Sequence, residues 1–156
     1  MNRLQMSLYK VGLSVFEDLG FMLPTADLNS EQANAAFQVG VCIDFHGPLS
    51  GSLVLQLNGD ILPVLTTNML GEDELPPLSL QHDALKELAN VVCGNLLPLI
   101  SHSDAIFDLG EPQIRNTPVE KVSSQQAAVA QQTIGLENGS AMLWLFLSSE
   151  ESRENE

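Results

Sequence analysis

Positive charge is scarce in this sequence. Only six of its 156 residues are lysine or arginine, whereas twenty are aspartate or glutamate, so the formal net charge is -14. A surface this acidic repels the phosphates of nucleic acids and the headgroups of anionic lipids. We therefore expect neither nucleic acid nor a membrane among the partners.

Cysteine and long hydrophobic runs are scarce as well. The two cysteines, Cys42 and Cys93, each lie inside a short apolar run, where a thiol usually behaves as a small buried hydrophobe. The first residues do not show the n-region and h-region pattern of a signal peptide, and no apolar run approaches the roughly 18 residues of a membrane span. The sequence therefore predicts a cytoplasmic protein with two buried thiols.

Histidines are too scattered to indicate a metal site. Asp44-x-His46 and His102-x-Asp104 have spacings that could hold a metal ion. Solvated surface residues are the favoured interpretation of both pairs. We therefore expect no metal ion bound by this chain.

Periodic apolar patterns predict both helices and strands. Residues 3–20 have helical spacing, and "AFQVGVCIDFH" followed by "GSLVLQL" predicts a β-hairpin with Ser52, Val54 and Gln56 facing outward. The other predicted elements are a short helix over 60–71 with Pro63 in its first turn and Gly71 at its end, a long helix from an N-cap at Ser79 to about Leu97, and strands near 105–114, over 119–136 and in "GSAMLWLFL".

A repeat organises these elements. "GSLVLQL" at residue 51 and "GSAMLWL" at residue 139 share a Gly-Ser start and the same alternation, and an amphipathic helix precedes each. This predicts an α+β fold of two duplicated helix–strand–strand halves that share an antiparallel sheet. We expect residues 1–147 to form a single domain, and the acidic tail 148–156 to be disordered.

The long helix carries a polar stripe. Asp83, Glu87 and Asn90 stand at i, i+4 and i+7 and therefore lie on one side. Gly94, one turn further on, leaves the surface flat, which matters if another protein must approach Asn90. The side expected to face the core is apolar and comprises Leu85, Leu88, Val92, Leu96 and Leu99. Without further context a solvated helix face is the favoured interpretation of the stripe, because acids near a helix N-terminus are stabilised by its dipole and a polar side opposite an apolar one is usual in a surface helix.

The spacing of the stripe resembles a known signature. Asp83, three residues, Glu87, two residues, Asn90, and then Pro112 after twenty-one more resemble the motif of the CheC/CheX/FliY family of chemotaxis phosphatases. "GPLSGSLVLQL", "ELANVVCGN" and "LGEP" are most similar to CheX-type segments, in the expected order. The resemblance covers roughly residues 4–147. It implies a CheC-like antiparallel sheet of about six strands with two long helices packed on it.

The resemblance also implies an activity. The substrate would be a phosphorylated CheY-type response regulator that carries its phosphoryl group on an aspartate. Glu87 would pair with the regulator's lysine, and Asn90 would hold the attacking water. Asp83 and Gly94 would support docking, and Pro112 would fix the loop beside the helix.

Further implications concern cofactors, assembly and a second site. This chain would need no cofactor of its own, because the Mg²⁺ ion would belong to the regulator, and CheX-like members are homodimers. In the first half, Leu13, Glu17 and Gly20 match the stripe under an offset of 70, and Gly20 has no amide to hold a water. The alternative to a phosphatase is a non-catalytic module that binds a response regulator, like a flagellar-switch scaffold.

Overall fold

The computed structural model describes residues 1–25, 27–119 and 127–148. Within these ranges the chain forms four helices and six strands. In chain order they are α1 (Arg3–Asp18), α2 (Ser30–Ala33), β1 (Phe37–His46), β2 (Gly51–Gly59), α3 (Leu62–Leu70), α4 (Leu78–Ile100), β3 (Asp108–Leu109), β4 (Gln113–Arg115), β5 (Ala130–Leu136) and β6 (Gly139–Leu147). None of the described helices is both long and apolar enough to cross a membrane.

The six strands form one antiparallel sheet in the order β3-β1-β2-β6-β5, and β4 also pairs with β1. The central pair is β2 and β6, in register from Gly51 opposite Leu147 to Gly59 opposite Gly139. The two Gly-Ser segments of the repeat are therefore neighbouring antiparallel strands in the middle of the sheet. This confirms the predicted α+β fold with its duplicated halves.

The two long helices cross over between the halves. α1 packs on β5 of the second half, and α4 packs on β1 of the first half, while the two helices also contact each other. The approach of α1 to the sheet is close, because a Cβ atom at Gly12 would stand 2.7 Å from Ile134 Cδ1. The core lies between this helical layer and one face of the sheet, where Val41, Leu55 and Leu143 are fully buried.

The opposite face of β2 corrects one prediction. Val54 and Gln56 were expected to point into solvent, but both are buried. Val54 lies between its cross-strand partners Cys42 and Trp144. The backbone N–H of Val119 donates to Gln56 Oε1 at 3.0 Å, so the chain that follows β4 lies over this face. Alternation in sequence shows which residues share a face, and the remote segment that covers the face decides their exposure.

Several element boundaries also differ from the prediction. α4 begins at Leu78, with Pro77 as its N-cap, so Ser79 lies inside the first turn. The strand predicted near 105–114 is two short strands, because Gly110 turns to donate its N–H to the carbonyl of Asp44 and Pro112 has no N–H to give.

Two further elements were predicted only in part. The strand predicted over 119–136 begins at Ala130 in the described residues, and 120–126 lie outside them. Helix α2 was not predicted, because one turn leaves no periodic pattern; a capping box between Asn29 and Gln32 stabilises it. Of the predicted tail 148–156, only Ser148 is among the described residues.

Candidate functional site

Helix α4 presents its polar stripe to solvent. Leu85, Leu88, Val92 and Leu96 are fully buried against the core, as their spacing predicted. On the other side Asp83, Glu87 and Gly94 are exposed and Asn90 is half-buried; we call these four residues the α4 ridge. The ridge therefore lies on a rigid helix of 23 residues whose back is anchored in the core.

Leu99 was wrongly assigned to the buried side of this helix. It is 49% exposed, because it lies in the last turn of α4, where the adjacent segment is the exposed start of α1. Arg3 Nη2 donates to the Leu99 carbonyl there at 3.3 Å. Leu99 lies more than two turns beyond the carboxylates and the amide, so its exposure does not affect the ridge.

The side chains of Asp83, Glu87 and Asn90 are unengaged. Within the described ranges, none of the three makes a side-chain hydrogen bond or an ion pair. A carboxamide offers a donor and an acceptor together, and here both are open to an external molecule. The ridge therefore has the properties of a surface that binds another molecule, although a solvated helix face would look the same in the free protein.

Gly94 is not required by the internal packing. A Cβ atom built there would meet nothing within 4 Å, in contrast to Gly12, which is pressed against the sheet. A glycine inside a helix costs about 1 kcal/mol relative to alanine. The chain therefore carries a destabilising residue at an open surface position, immediately beyond Asn90.

Pro112 is not on the α4 ridge but in the connection between β3 and β4. It is half-buried between β3 and β4, which both pair with β1. The strand that follows it, β4, contacts α4. A proline here fixes the backbone torsion φ of the segment that runs next to the helix.

The matching positions of the first half form no such ridge. Helix α1 ends at Asp18, so Gly20 stands outside the helix and is buried in the turn after it. A Cβ atom at Gly20 would lie 2.9 Å from both Leu65 Cδ1 and the Phe16 carbonyl. This turn has no room for an asparagine side chain.

The cysteines and the metal-ligating residue types form no second candidate site in the described residues. Burial raises the pKa of the Cys93 thiol to about 12. Cys42 is only half-buried, so the prediction of two buried thiols is wrong for it. Its partial burial, and secondarily the charge of Asp44, still raise its pKa, so neither thiol is activated as a nucleophile. Among the described residues, no three histidine, cysteine, aspartate or glutamate side chains group closely enough to hold a metal ion.

Two concave regions lie elsewhere on the molecule. The larger, about 730 Å³, is lined by residues that include Thr25, Asn29 and Glu137, and a smaller one of about 180 Å³ lies beside Phe21 and Val64. Neither contains a residue of the α4 ridge. The candidate residues of α4 are therefore separate from both of these concave regions.

Sequence reasoning did not single out one charged neighbour of the ridge. Lys86 is half-buried on α4, one turn before Asn90. Its signal in the sequence is the i, i+4 spacing to Asn90, which a motif confined to Asp83, Glu87 and Asn90 does not contain.

Comparison with known proteins places this chain in a family. The family model described as chemotaxis phosphatase CheX matches residues 39–134, which is more than half of the chain and includes the whole ridge and Pro112. The chain belongs to the CheX family. No curated protein matches the sequence.

Solved CheX structures share the fold. The CheX protein of Desulfovibrio desulfuricans is 15% identical with a TM-score of 0.74, covering 94% of this chain and 100% of that chain. The CheX protein of Vibrio vulnificus is also 15% identical, with a TM-score of 0.72 and coverage of 94% and 97%. CheX of Borrelia burgdorferi, in a complex with CheY, BeF3 and Mg²⁺, is 11% identical with a TM-score of 0.63 and coverage of 92% and 97%.

Proposed function

We propose that this chain is a phosphatase that hydrolyses the aspartyl phosphate of a CheY-type response regulator. The observation that carries the proposal is the unengaged carboxamide of Asn90 beside the exposed carboxylate of Glu87, in a member of the CheX family. The Borrelia burgdorferi relative, which was crystallised with CheY, BeF3 and Mg²⁺, supports the choice of partner.

Glu87 recognises the regulator. Its exposed carboxylate pairs with the lysine that stands beside the phosphoaspartate in the partner's active site. An exposed ion pair contributes only about 0.2–1 kcal/mol, but one that is desolvated on docking contributes more to orientation and dissociation rate. Glu87 therefore sets the register that brings Asn90, one turn further along the helix, to the phosphoryl group.

Asn90 positions the nucleophile. An amide is no base at neutral pH, but it can accept a hydrogen bond from a water and donate another one. The water oxygen attacks phosphorus in line, and the bond from phosphorus to the aspartate oxygen breaks. The aspartate is left as a carboxylate, and inorganic phosphate leaves with the water's oxygen and both of its protons, one of which it can release to solvent. Phosphoryl transfer depends mainly on positioning and charge stabilisation. The Mg²⁺ ion that supplies charge belongs to the regulator.

The remaining ridge residues support docking. Asp83 lies one turn before Glu87 on the exposed side, and Gly94 keeps the surface flat beyond Asn90, so the regulator's pocket can close over the helix. Pro112 keeps the neighbouring segment in place. We propose that the protein acts in the cytoplasm, where response regulators are found, and that it does so as a homodimer.

The test uses a panel of purified CheY-type regulators, each phosphorylated with Mg²⁺ present, and follows the release of phosphate. We expect the wild-type chain to accelerate the loss from at least one of them. Asn90→Ala should reduce the acceleration roughly 100-fold, the effect of removing one well-placed polar group from a transition state. Asn95→Ala is the matched control, because Asn95 is exposed on the same helix but off the ridge.

Two outcomes would contradict the assignment. An Asn90→Ala variant as fast as the wild type would remove the catalytic role and favour a regulator-binding module. Glu87→Lys should abolish docking, because it sets two cations against each other, and undiminished binding of this variant would refute the ion pair.

A further inference from the structure

Lys86 and Glu87 flank Asn90 with opposite charges. Consecutive helical residues are separated by about 100°, so Lys86 (i−4) and Glu87 (i−3) lie on either side of the row that contains Asn90. Lys86 is the only lysine or arginine of α4. The amide therefore stands between a carboxylate and an ammonium group on the same solvent-facing surface.

The ammonium group of Lys86 is available to a partner. No hydrogen bond or ion pair joins it to another group in the described part of the chain, although Asp83 stands one turn earlier. The chain has six basic residues against twenty acids, so its general field repels anions. A phosphorylated partner approaching the ridge therefore meets a local attraction for negative charge at Lys86.

The proposed ion pair of Glu87 does not distinguish phosphorylated from unphosphorylated regulator. Its lysine partner is present in both states, and a contact that is equal in two states shifts no equilibrium between them. Preference for the phosphorylated state needs a group that interacts with the added phosphoryl charge. Among the charged side chains next to Asn90, Lys86 has the required sign.

We propose that Lys86 is the docking residue that makes binding to the regulator depend on phosphorylation, with its ammonium group facing the phosphoryl oxygens. This rests on the function proposed above and adds a specificity determinant outside the Asp83, Glu87 and Asn90 motif. Hydrolysis removes the phosphoryl charge from the regulator, so the Lys86 contact weakens in the product complex. The same residue thereby favours substrate capture and product release.

The experiment measures binding, so it does not depend on turnover. Each regulator of the panel is titrated with the chain at low ionic strength, once with Mg²⁺ alone and once with Mg²⁺ and beryllium fluoride as a stable phosphoryl mimic. The measured quantity is the ratio of the two dissociation constants. Lys86→Met keeps the apolar stem that packs on the helix and removes the charge.

A matched variant controls for net charge. Lys10→Met removes the same charge from an exposed position on the neighbouring helix α1. We expect Lys86→Met to reduce the preference for the loaded regulator roughly three- to tenfold, Lys10→Met to leave it unchanged, and Lys86→Arg to retain most of it. Thermal melts establish that all three variants are folded.

The possible failures are distinct. A wild-type preference that survives in Lys86→Met, or that Lys10→Met lowers equally, overturns the role of Lys86 and leaves the phosphatase proposal standing. A wild-type chain that binds no regulator of the panel in either state overturns both. Loss of phosphate release in Asn90→Ala with an intact binding preference supports the separation of catalysis from recognition.

Discussion

Replacing Gly94 by alanine should stabilise the protein. The residue lies inside α4, four residues beyond Asn90, and a Cβ atom there would meet nothing within 4 Å. Alanine loses less backbone entropy than glycine when it becomes helical, a difference of about 1 kcal/mol. With no steric cost to set against it, we expect the whole gain to appear in the free energy of unfolding.

Gly12 provides the contrasting variant, because it is also a helical glycine. Alanine at Gly12 gains the same helix propensity, but its Cβ would stand 2.7 Å from Ile134 Cδ1, in a core where Ile134 is 1% exposed. Repacking around an added methyl group costs roughly 1–3 kcal/mol. We therefore expect Gly12→Ala to be neutral at best and Gly94→Ala to be the more stable variant.

The assay is urea unfolding followed by circular dichroism, with thermal melts as a second measurement. For a chain of this size, about 1 kcal/mol corresponds to a rise in Tm of roughly 2–4 °C. A Gly94→Ala variant less stable than the wild type would refute the open environment on which the calculation rests.

A larger residue at Gly94 separates stability from function. Leucine is a good helix former, so Gly94→Leu should fold at least as well as the wild type. In the proposed function, however, its side chain would project next to Asn90, into the path of the docking regulator. We expect kcat/KM for phosphate release to fall tenfold or more, chiefly through KM. Unchanged kinetics in a stable Gly94→Leu variant would show that no partner closes over this part of the helix.

Two other predictions concern pH and salt. Burial raises the pKa of Cys93 to about 12, against about 8.5 in an unfolded chain, so the stability that comes from a neutral buried thiol is complete below pH 8.5 and is lost as the pH rises towards 12. Between pH 8 and pH 10 the free energy of unfolding, measured with urea, should fall by about 1–2 kcal/mol more for the wild type than for Cys93→Val. An equal decrease in the two proteins would contradict this. Because the net charge is -14 and regulator active sites are themselves acidic, moderate salt should speed association in stopped-flow experiments; rates that fall steadily with salt would show that the Glu87 pair dominates.

Patterns confined to one element predicted the corresponding structure well. The helical spacing of Leu85, Leu88 and Val92 identified the buried side of α4, and the opposite side emerged exposed as expected. The Gly-Ser repeat identified the two strands that pair at the centre of the sheet. The helical pattern lies within one element, and the repeat compares two segments that each form one strand.

Three features were missed or wrongly assigned, and a remote contact decides the first of them. Gln56 is buried, and its side-chain oxygen Oε1 accepts a hydrogen bond from the backbone N–H of Val119, 63 residues away. The alternation within β2 does not predict that contact. The N-cap of α4 is Pro77 rather than Ser79, because consecutive prolines fix the extended entry to the helix. The availability of the Lys86 ammonium group to a partner was not predicted, because Lys86 is not part of the Asp83, Glu87 and Asn90 motif.

Because α1 packs on the second half and α4 packs on the first, the helix of each half covers the sheet of the other. A chain severed between α3 and α4 would leave two fragments, each with a helix and a hairpin but without the cover that completes its core, so they should fold only when they meet. Because both halves are needed for the fold, only one of them has to carry catalytic side chains. The first half ends α1 at Asp18, before the tight turn at Gly20, and in the proposed function only the second half carries the catalytic side chains.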